Sequence, residues 1–415
     1  MVALTNIPVY IFIFIGLYFQ IFLLVTFLEN EDKDDKSTDN ENKNRIWPTV
    51  SVTIPCFNEQ ETVTGTILSL LNLEYPKDKL TILIVDDGST DNTYNVAHSL
   101  SLKYPQIKLV RQKNGGKFTA LNFGIDESKS EFIAGLDADS FVDPQALKNM
   151  IPYFDDQKIM AVTPAIRVYS PKTILQILQR AEYNFGIFGR YIMGKVNAIH
   201  VTPGPLSIFR KTVFDNLGKY KHAHNTEDME IAFRMQESGY KIANCPNAFV
   251  YTVTPPTLKK LHIQRVRWMS GFLKNALDYK HLFFNRKYGD MGVFTLPFSF
   301  ISIFVALYFF VKIIYSFGDF ILQKIIKINT VGFSWNFHFL HFDWFFINTE
   351  SIAILAIIII SIAFVLILLG KKMAEGTMVP SRDILYFMLF YSFISPFWLT
   401  KAVYNTVTSR ATSWR

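Results

Sequence analysis

Between Pro8 and Leu28 the chain carries no charged residue, and a helix of that length spans the ~30 Å of hydrocarbon in a bilayer. After Arg286 the sequence turns apolar again, with spans expected at about 291–315, 350–369 and 385–404. The stretch between them is patterned like a soluble domain, so the chain should fold as a globular unit held against a membrane at both ends. Its 415 residues are 50% hydrophobic and 19% charged, with 39 Phe, which is too apolar a balance for an ordinary soluble protein. The first thirty residues hold no Lys or Arg, unlike the basic start of a cleaved signal peptide, and this predicts a retained anchor over residues 1–29. The positive-inside rule then puts the N-terminus outside and the following domain in the cytoplasm.

The net charge of +7 is modest, and much of the basic excess (Lys259, Lys260, Arg265, Arg267, Lys274) lies close to the spans. Membrane lipid or phosphate suits that placement better than nucleic acid does. Cys56 and Cys245 are far apart and lack ligand-like spacing, so neither a disulfide framework nor a zinc site is indicated.

Residues 30–47 are nearly all charged or amide and read as a flexible linker. The domain expected over 48–286 opens with strand 49–55, then helix 59–71 capped by Asn58, strand 80–85, helix 90–102, strand 108–111, helix 117–125 and strand 131–136. This alternation implies an α/β fold with a doubly wound, mostly parallel sheet, in which ligands gather at the carboxyl ends of the strands. Residues 287–415 then form the C-terminal membrane part, with the aromatic stretch 333–346 read as interfacial. The loop bearing Lys371, Lys372 and Arg382 reads as cytoplasmic, so three further spans would leave the tail outside. Lys401, Arg410 and Arg415 in that tail argue for the inside, which makes one of the assigned segments interfacial or re-entrant.

Several polar clusters punctuate the domain. Asp86-Asp87-Gly88-Ser89 ends a strand, and its carboxylates suit a nucleobase or ribose hydroxyls, or simply cap a turn. Asp137-Ala138-Asp139 sets two carboxylates on one side of an extended segment. They are hard ligands for Mg2+ or Mn2+ beside a diphosphate; the plainer reading is a solvated turn before a helix at 144–150 capped by Asp143. Thr226-Glu227-Asp228 opens a helix expected over 229–238, where helix capping competes with a general-base role for Asp228.

Gln264-Arg265-Val266-Arg267-Trp268 lies in a basic amphipathic segment. Arg267 can grip phosphate oxygens, Gln264 offers an amide and Trp268 a flat face for a sugar, against the alternative of a juxtamembrane helix. Asn114-Gly115-Gly116-Lys117 begins a helix and either binds an anion through its N–H groups and Lys117 or only caps. Thr202-Pro203-Gly204-Pro205-Leu206 is a rigid turn that suits the wall of an acceptor cleft, and residues 251–256 are expected as a mobile loop.

Taken in order, these residues resemble the inverting family-2 glycosyltransferases of the GT-A fold. The nearest branch is the membrane-embedded processive synthases of hyaluronan, chitin, cellulose and poly-N-acetylglucosamine. The resemblance covers about residues 48–275 and continues loosely into the C-terminal spans. It implies that Asp87 contacts the uridine of a nucleotide sugar and that Asp137 and Asp139 hold Mg2+ or Mn2+. Lys117 and Arg267 would then lie beside the donor, and Asp228, ending a TED motif, would be the catalytic base. Gln264, Arg267 and Trp268 match the Q-x-x-R-W element, and Gly204, Pro205 and Glu227 fall on the acceptor side.

The implied partners are a nucleotide-sugar donor, a growing glycan or lipid-linked acceptor and membrane lipids, with a second copy or accessory subunit left open. The C-terminal spans, around Trp398 and Tyr404, are expected to offer a path for the chain. One N-terminal span stands where several relatives have two, and there is no cyclic-nucleotide sensor domain of the cellulose synthase type. Two rival readings are transfer of one sugar to a polyprenyl phosphate or other lipid, and a silent nucleotide-sugar binder. Enzymes of the first kind generally lack Q-x-x-R-W, and a silent binder would be expected to have lost an acidic residue, which this chain has not.

Overall fold

The computed structural model describes residues 7–34, 45–331 and 351–410. The anchor is helix α1 (Ile7–Asp34), which runs past the apolar span into the acidic stretch expected as linker. Once nucleated, a helix adds residues cheaply, and the Asn30 amide donates back to the Thr26 carbonyl at 2.8 Å. Residues 35–44 of the expected linker lie outside the described part.

The domain is built on an eight-stranded sheet. From one edge its order is β3 (Ile107–Arg111), β2 (Leu80–Asp86), β1 (Val50–Cys56), β4 (Phe132–Gly135), β7 (Ile208–Arg210), β6 (Ile159–Val168), β8 (Lys241–Thr252) and β5 (Ser140–Val142). Four of the seven pairings are parallel: β1 with β2 and β4, β2 with β3, and β6 with β8. The sheet is therefore mixed but mostly parallel. Its central strands are apolar runs buried on both faces, such as Val50, Val52 and Ile54 beside Ile82 and Ile84. Helices α2 (Val63–Leu71), α3 (Thr93–Ser101) and α4 (Lys117–Glu127) make the crossovers. The register sets Cys56 against Asp86 and Thr53 against Gly135, so the residues just past these strands, Asp87 and Asp137, share one edge of the sheet. That edge lies where the strand order reverses, which opens a crevice.

Two expected caps are replaced. Helix α2 starts at Val63 rather than at 59; Asn58 sits at φ 58 and accepts from the Thr90 N–H (2.9 Å) and hydroxyl, tying two loops together instead of capping. Asp143 accepts from the Gln145 N–H at 3.0 Å in a local turn, and the helix α5 (Ala146–Met150) begins after it.

Helix α6 (Ile174–Lys195) went unread, yet its start is legible. Thr173 accepts from the Gln176 N–H, and the Gln176 side chain accepts from the Thr173 N–H, both at 3.2 Å, a reciprocal capping box. The domain closes with α7 (Lys211–Leu217), α8 (Glu227–Glu237) and α9 (Leu258–Asp278), the last capped by the Thr257 hydroxyl.

The C-terminal part comprises α10 (Leu296–Val331), α11 (Ser351–Glu375), α12 (Arg382–Tyr386) and α13 (Ser392–Val407), with one π-helical stretch joining the last two. Among the described residues, four stretches are long and apolar enough to cross a membrane: Ile7–Asn30, Met291–Thr330, Ser351–Glu375 and Arg382–Val407. All three C-terminal ones outrun their expected limits, and residues 333–346 lie outside the described part. Small residues set the crossings, since a Cβ on Gly16 of α1 would lie 2.8 Å from Ile359 of α11. A Cβ on Gly370 of α11 would lie 2.6 Å from the Asn184 carbonyl of α6, so α6 lies directly on one of these apolar helices. Trp398 is buried against Tyr391 and does not line an open path, while Tyr404 is exposed.

Candidate active site

A cleft of about 910 Å³ opens at the carboxyl ends of β1, β2 and β4. All eleven residues singled out in the sequence line it: Asp87, Lys117, Asp137, Asp139, Gly204, Pro205, Glu227, Asp228, Gln264, Arg267 and Trp268. They come from six separate segments, which only the sheet topology brings together.

At one end the Asp87 carboxylate is occupied by protein. It accepts from Gln112 Nε2 (2.7 Å), the Gly115 N–H (3.0 Å) and the Gly116 N–H (2.9 Å). The two backbone donors expected to bind an anion are therefore spent on Asp87. Asp86 plays the neighbouring structural part, accepting from the Ser89 N–H at 3.2 Å and pairing with Arg111 at 3.0 Å. Gly88 turns the chain at φ 77, and a Cβ there would lie 3.0 Å from the Asn114 backbone nitrogen.

In the middle, Lys117 opens α4 and is ion-paired with Asp137, with Glu227 Oε1 3.6 Å away. Burial alone would depress this ammonium, but Asp137, Glu227 and Asp228 outweigh it and hold it above the ordinary lysine value. Gly204 leaves room for this contact: a Cβ there would lie 2.6 Å from Lys117 Nζ and 3.1 Å from the Asp137 carboxylate. Burial, then the repulsion of Asp137 and Glu59, pushes the Asp139 carboxyl up to about 7.

Asp228 lies in the first turn of α8. Burial, then the charge of Glu227, pushes its carboxyl up to about 6, while Lys117 and Arg267 pull the other way. Its backbone carbonyl accepts from the Thr202 N–H (3.1 Å) and hydroxyl (2.7 Å), which fastens the base candidate to the Gly204-Pro205 turn. Thr226 caps nothing with its side chain; its hydroxyl donates to the Ala223 carbonyl at 3.0 Å and accepts from Asn275 of α9 at 2.9 Å.

On α9, Gln264, Arg267 and Trp268 are spaced i, i+3, i+4 and so share the face that lines the cleft. Arg267 donates to the Asn225 carbonyl at 3.0 Å, next to the TED segment. Arg265, between them in sequence, faces α6: it donates to Glu182 at 2.7 Å and lies 4.3 Å from the centre of the Trp268 ring. Glu182 also accepts from the Tyr391 hydroxyl at 2.6 Å, linking this helix to the last membrane segment.

The sequence reading missed the α6 wall of the cleft, with Glu182, Tyr183, Gly186 and Arg190, and it missed Phe57 and Glu59 beyond β1. Of the expected mobile loop, Tyr251 and Thr252 belong to β8, and Thr252 and Val253 line the cleft.

Residues 48–271, more than half of the chain, match the family model described as glycosyltransferase like family 2. The chain belongs to this family. Its family-2 domain is similar to the poly-beta-1,6-N-acetyl-D-glucosamine synthase of Staphylococcus epidermidis strain RP62A, at 30% identity over 62% of this chain and 63% of that protein. The Staphylococcus aureus (strain COL) protein of the same name is 34% identical over 54% of each chain. The chain thus spans less than two thirds of the curated relatives it matches. In fold it is similar, at TM-score 0.57 and 16% identity, to the mannosyltransferase PcManGT of Pyrobaculum calidifontis, solved with GDP-mannose and Mn2+. That likeness covers 96% of this chain and 99% of the other, and it confirms the expected α/β glycosyltransferase architecture with helices at both ends.

Proposed function

We propose that this family-2 chain is a membrane-embedded, processive, inverting glycosyltransferase that polymerises N-acetylglucosamine from its UDP-sugar. The observation that carries the transferase chemistry is the one cleft that gathers Asp137, Asp139, Lys117, Arg267 and Trp268 around Asp228, whose carboxyl burial and Glu227 push up to about 6 while the two cations act against the rise. A base of that strength is ionised at neutral pH and still takes a proton readily. The named activity of the staphylococcal relatives supports the sugar.

In the proposed reaction the acceptor hydroxyl loses its proton to Asp228 as its oxygen attacks the anomeric carbon. The bond from that carbon to the diphosphate breaks on the opposite face, and the nucleoside diphosphate leaves with the electron pair. Lys117 and Arg267 offset the charge that develops on it. Asp87 fixes the 114–116 wall against which the nucleoside rests, and Trp268, Gln264, Glu227 and the Gly204-Pro205 turn hold the acceptor end.

Asp137 and Asp139 fit a divalent cation. Their charges, with Glu59, repel one another enough to raise Asp139. Among the described residues no three His, Cys, Asp or Glu side chains form a metal group by themselves, so the remaining ligands would be diphosphate oxygens and water, as is usual for Mg2+ or Mn2+ bound with a nucleotide. When bound, such an ion supplies positive charge at the leaving group.

We further propose that the domain faces the cytoplasm at the cell membrane and that the last apolar segment lies along the domain instead of crossing. Asp383, at its start, pairs with Arg180 of α6 at 3.2 Å, and the Arg410 carbonyl, just past its end, accepts from Lys274 of α9 at 2.7 Å. This puts Lys371, Lys372, Lys401 and Arg410 on one side, in keeping with the positive-inside rule.

Nucleotide release by the full chain in lipid, offered UDP- and GDP-sugars with Mg2+ or Mn2+, tests the reading. Release from UDP-N-acetylglucosamine is expected, dependent on metal; release from GDP-mannose alone would overturn the donor.

A further inference from the structure

Within Gln264-Arg265-Val266-Arg267-Trp268, the side chains of Gln264, Arg267 and Trp268 line the cleft and that of Arg265 does not. A helix turns by about 100° per residue, so Arg265 stands to one side of that face, against α6. It is only 4% exposed, and a buried guanidinium is costly unless it is paired and hydrogen-bonded. Glu182 supplies the pair at 2.7 Å. That carboxylate is itself fixed, because its other oxygen accepts from the Tyr391 hydroxyl at 2.6 Å. Burial depresses the Arg265 charge, yet its neighbours, Glu182 foremost, hold the guanidinium above the ordinary arginine value.

The guanidinium so anchored reaches two residues of the cleft wall from behind. Its Nη1 donates to Gln264 Oε1 at 3.1 Å, and its centre lies 4.3 Å from the centre of the Trp268 ring. An arginine carries donors and no acceptor, so the contact decides which way round the Gln264 amide sits. The oxygen is committed to Arg265, and the NH2 is the end left for a ligand. Among the described residues Gln264 Nε2 has no hydrogen-bond partner, and both Gln264 and Trp268 are only half-buried, open to the cleft.

We propose that Arg265, clamped by Glu182, is a positioning residue that presents Gln264 to the acceptor sugar as a hydrogen-bond donor and steadies the Trp268 ring on which that sugar rests. The group that Gln264 meets is then an oxygen lone pair, of a hydroxyl or an acetamido carbonyl. The proposal rests on the reading of Gln264 and Trp268 as the acceptor end, and its test needs no turnover. Binding of a short β-1,6-linked N-acetylglucosamine oligosaccharide to the full chain in detergent is measured beside that of UDP, which reports folding and the donor site.

Gln264→Glu keeps an oxygen for Arg265 but has no donor to give. It is expected to weaken oligosaccharide binding by about tenfold, the span of one lost hydrogen bond. Unchanged or tighter binding would overturn the proposal, because a carboxylate accepts from a sugar hydroxyl more strongly than an amide does. Arg265→Met, which frees the amide to turn, is expected to weaken the oligosaccharide by roughly fivefold while UDP still binds, and to lose most of that effect in a Gln264→Ala background. Losses that simply multiply would mark a structural role and overturn the proposal. If Arg265→Met no longer binds UDP, the sign of the Gln264→Glu effect decides. UDP binding without oligosaccharide binding in the natural chain would overturn the proposal together with the acceptor reading. Oligosaccharide binding without UDP binding would count against the donor reading alone and leave the Arg265 tests in force.

Discussion

Asp228, the proposed base, shows how its surroundings retune an ordinary carboxyl. Withdrawal from water and the neighbouring Glu227 raise its carboxyl to about 6, and Lys117 and Arg267 stop the rise there. In the proposed base role the ionised form is the active one, so kcat/KM should climb as pH increases through about 6 and level off above it. Glu227→Gln, which removes the repulsion, should move that limb to lower pH; a limb that stays put would show that Glu227 does not set it. Asp228→Asn should cut turnover by about 10²–10⁴-fold, the usual weight of a general base, while UDP binding persists. Asp87 teaches a different lesson. Its place beside the cleft was legible in Asp86-Asp87-Gly88-Ser89, but its partners, the N–H groups of Gly115 and Gly116, were not. Those groups lie on another loop, and only the register of β2 with β3 delivers them.

At the scale of elements, the junction of α8 and α9 carries the site. Gly271 of α9 has no room for a side chain, since a Cβ would overlap Thr226 at the head of the TED segment. Gly271→Ala should therefore displace Asp228 and cost about 1–3 kcal/mol of stability, read as a lower unfolding midpoint together with reduced turnover. Gly189→Ala in α6, where nothing lies within 4 Å, should instead stabilise by about 1 kcal/mol. The alternation of strands and helices up to β4 was legible because each strand there is a short apolar run bounded by turn residues. The half that carries β6, α6 and β8 was not, even though Thr173 and Gln176 spell a helix start. Its strands pair across long sequence separations, and local pattern does not report such pairing.

For the whole molecule, the apolar tracts announced a membrane protein, but their length hid how the last one is used. Two polar contacts, Asp383 with Arg180 and Lys274 with the Arg410 carbonyl, hold both ends of that segment to the domain. Both native cysteines are buried, so single introduced cysteines report sidedness cleanly. Ser409→Cys should react with an impermeant maleimide from the same face of a sealed vesicle as Lys129→Cys in the domain; labelling from opposite faces would mean that the segment crosses. The Glu182 bridge between Arg265 and Tyr391 ties the same segment to the helix that carries Trp268, so the wall of the cleft proposed for the acceptor and the packing of the last apolar segment share a structural element. The central claim, polymerisation by direct displacement with Asp228 as base, is tested most directly by the size of the product formed from UDP-N-acetylglucosamine by the reconstituted chain. A long N-acetylglucosamine polymer that disappears in Asp228→Asn is the expected result. A single sugar on lipid, or a polymer that Asp228→Asn still makes, would contradict it.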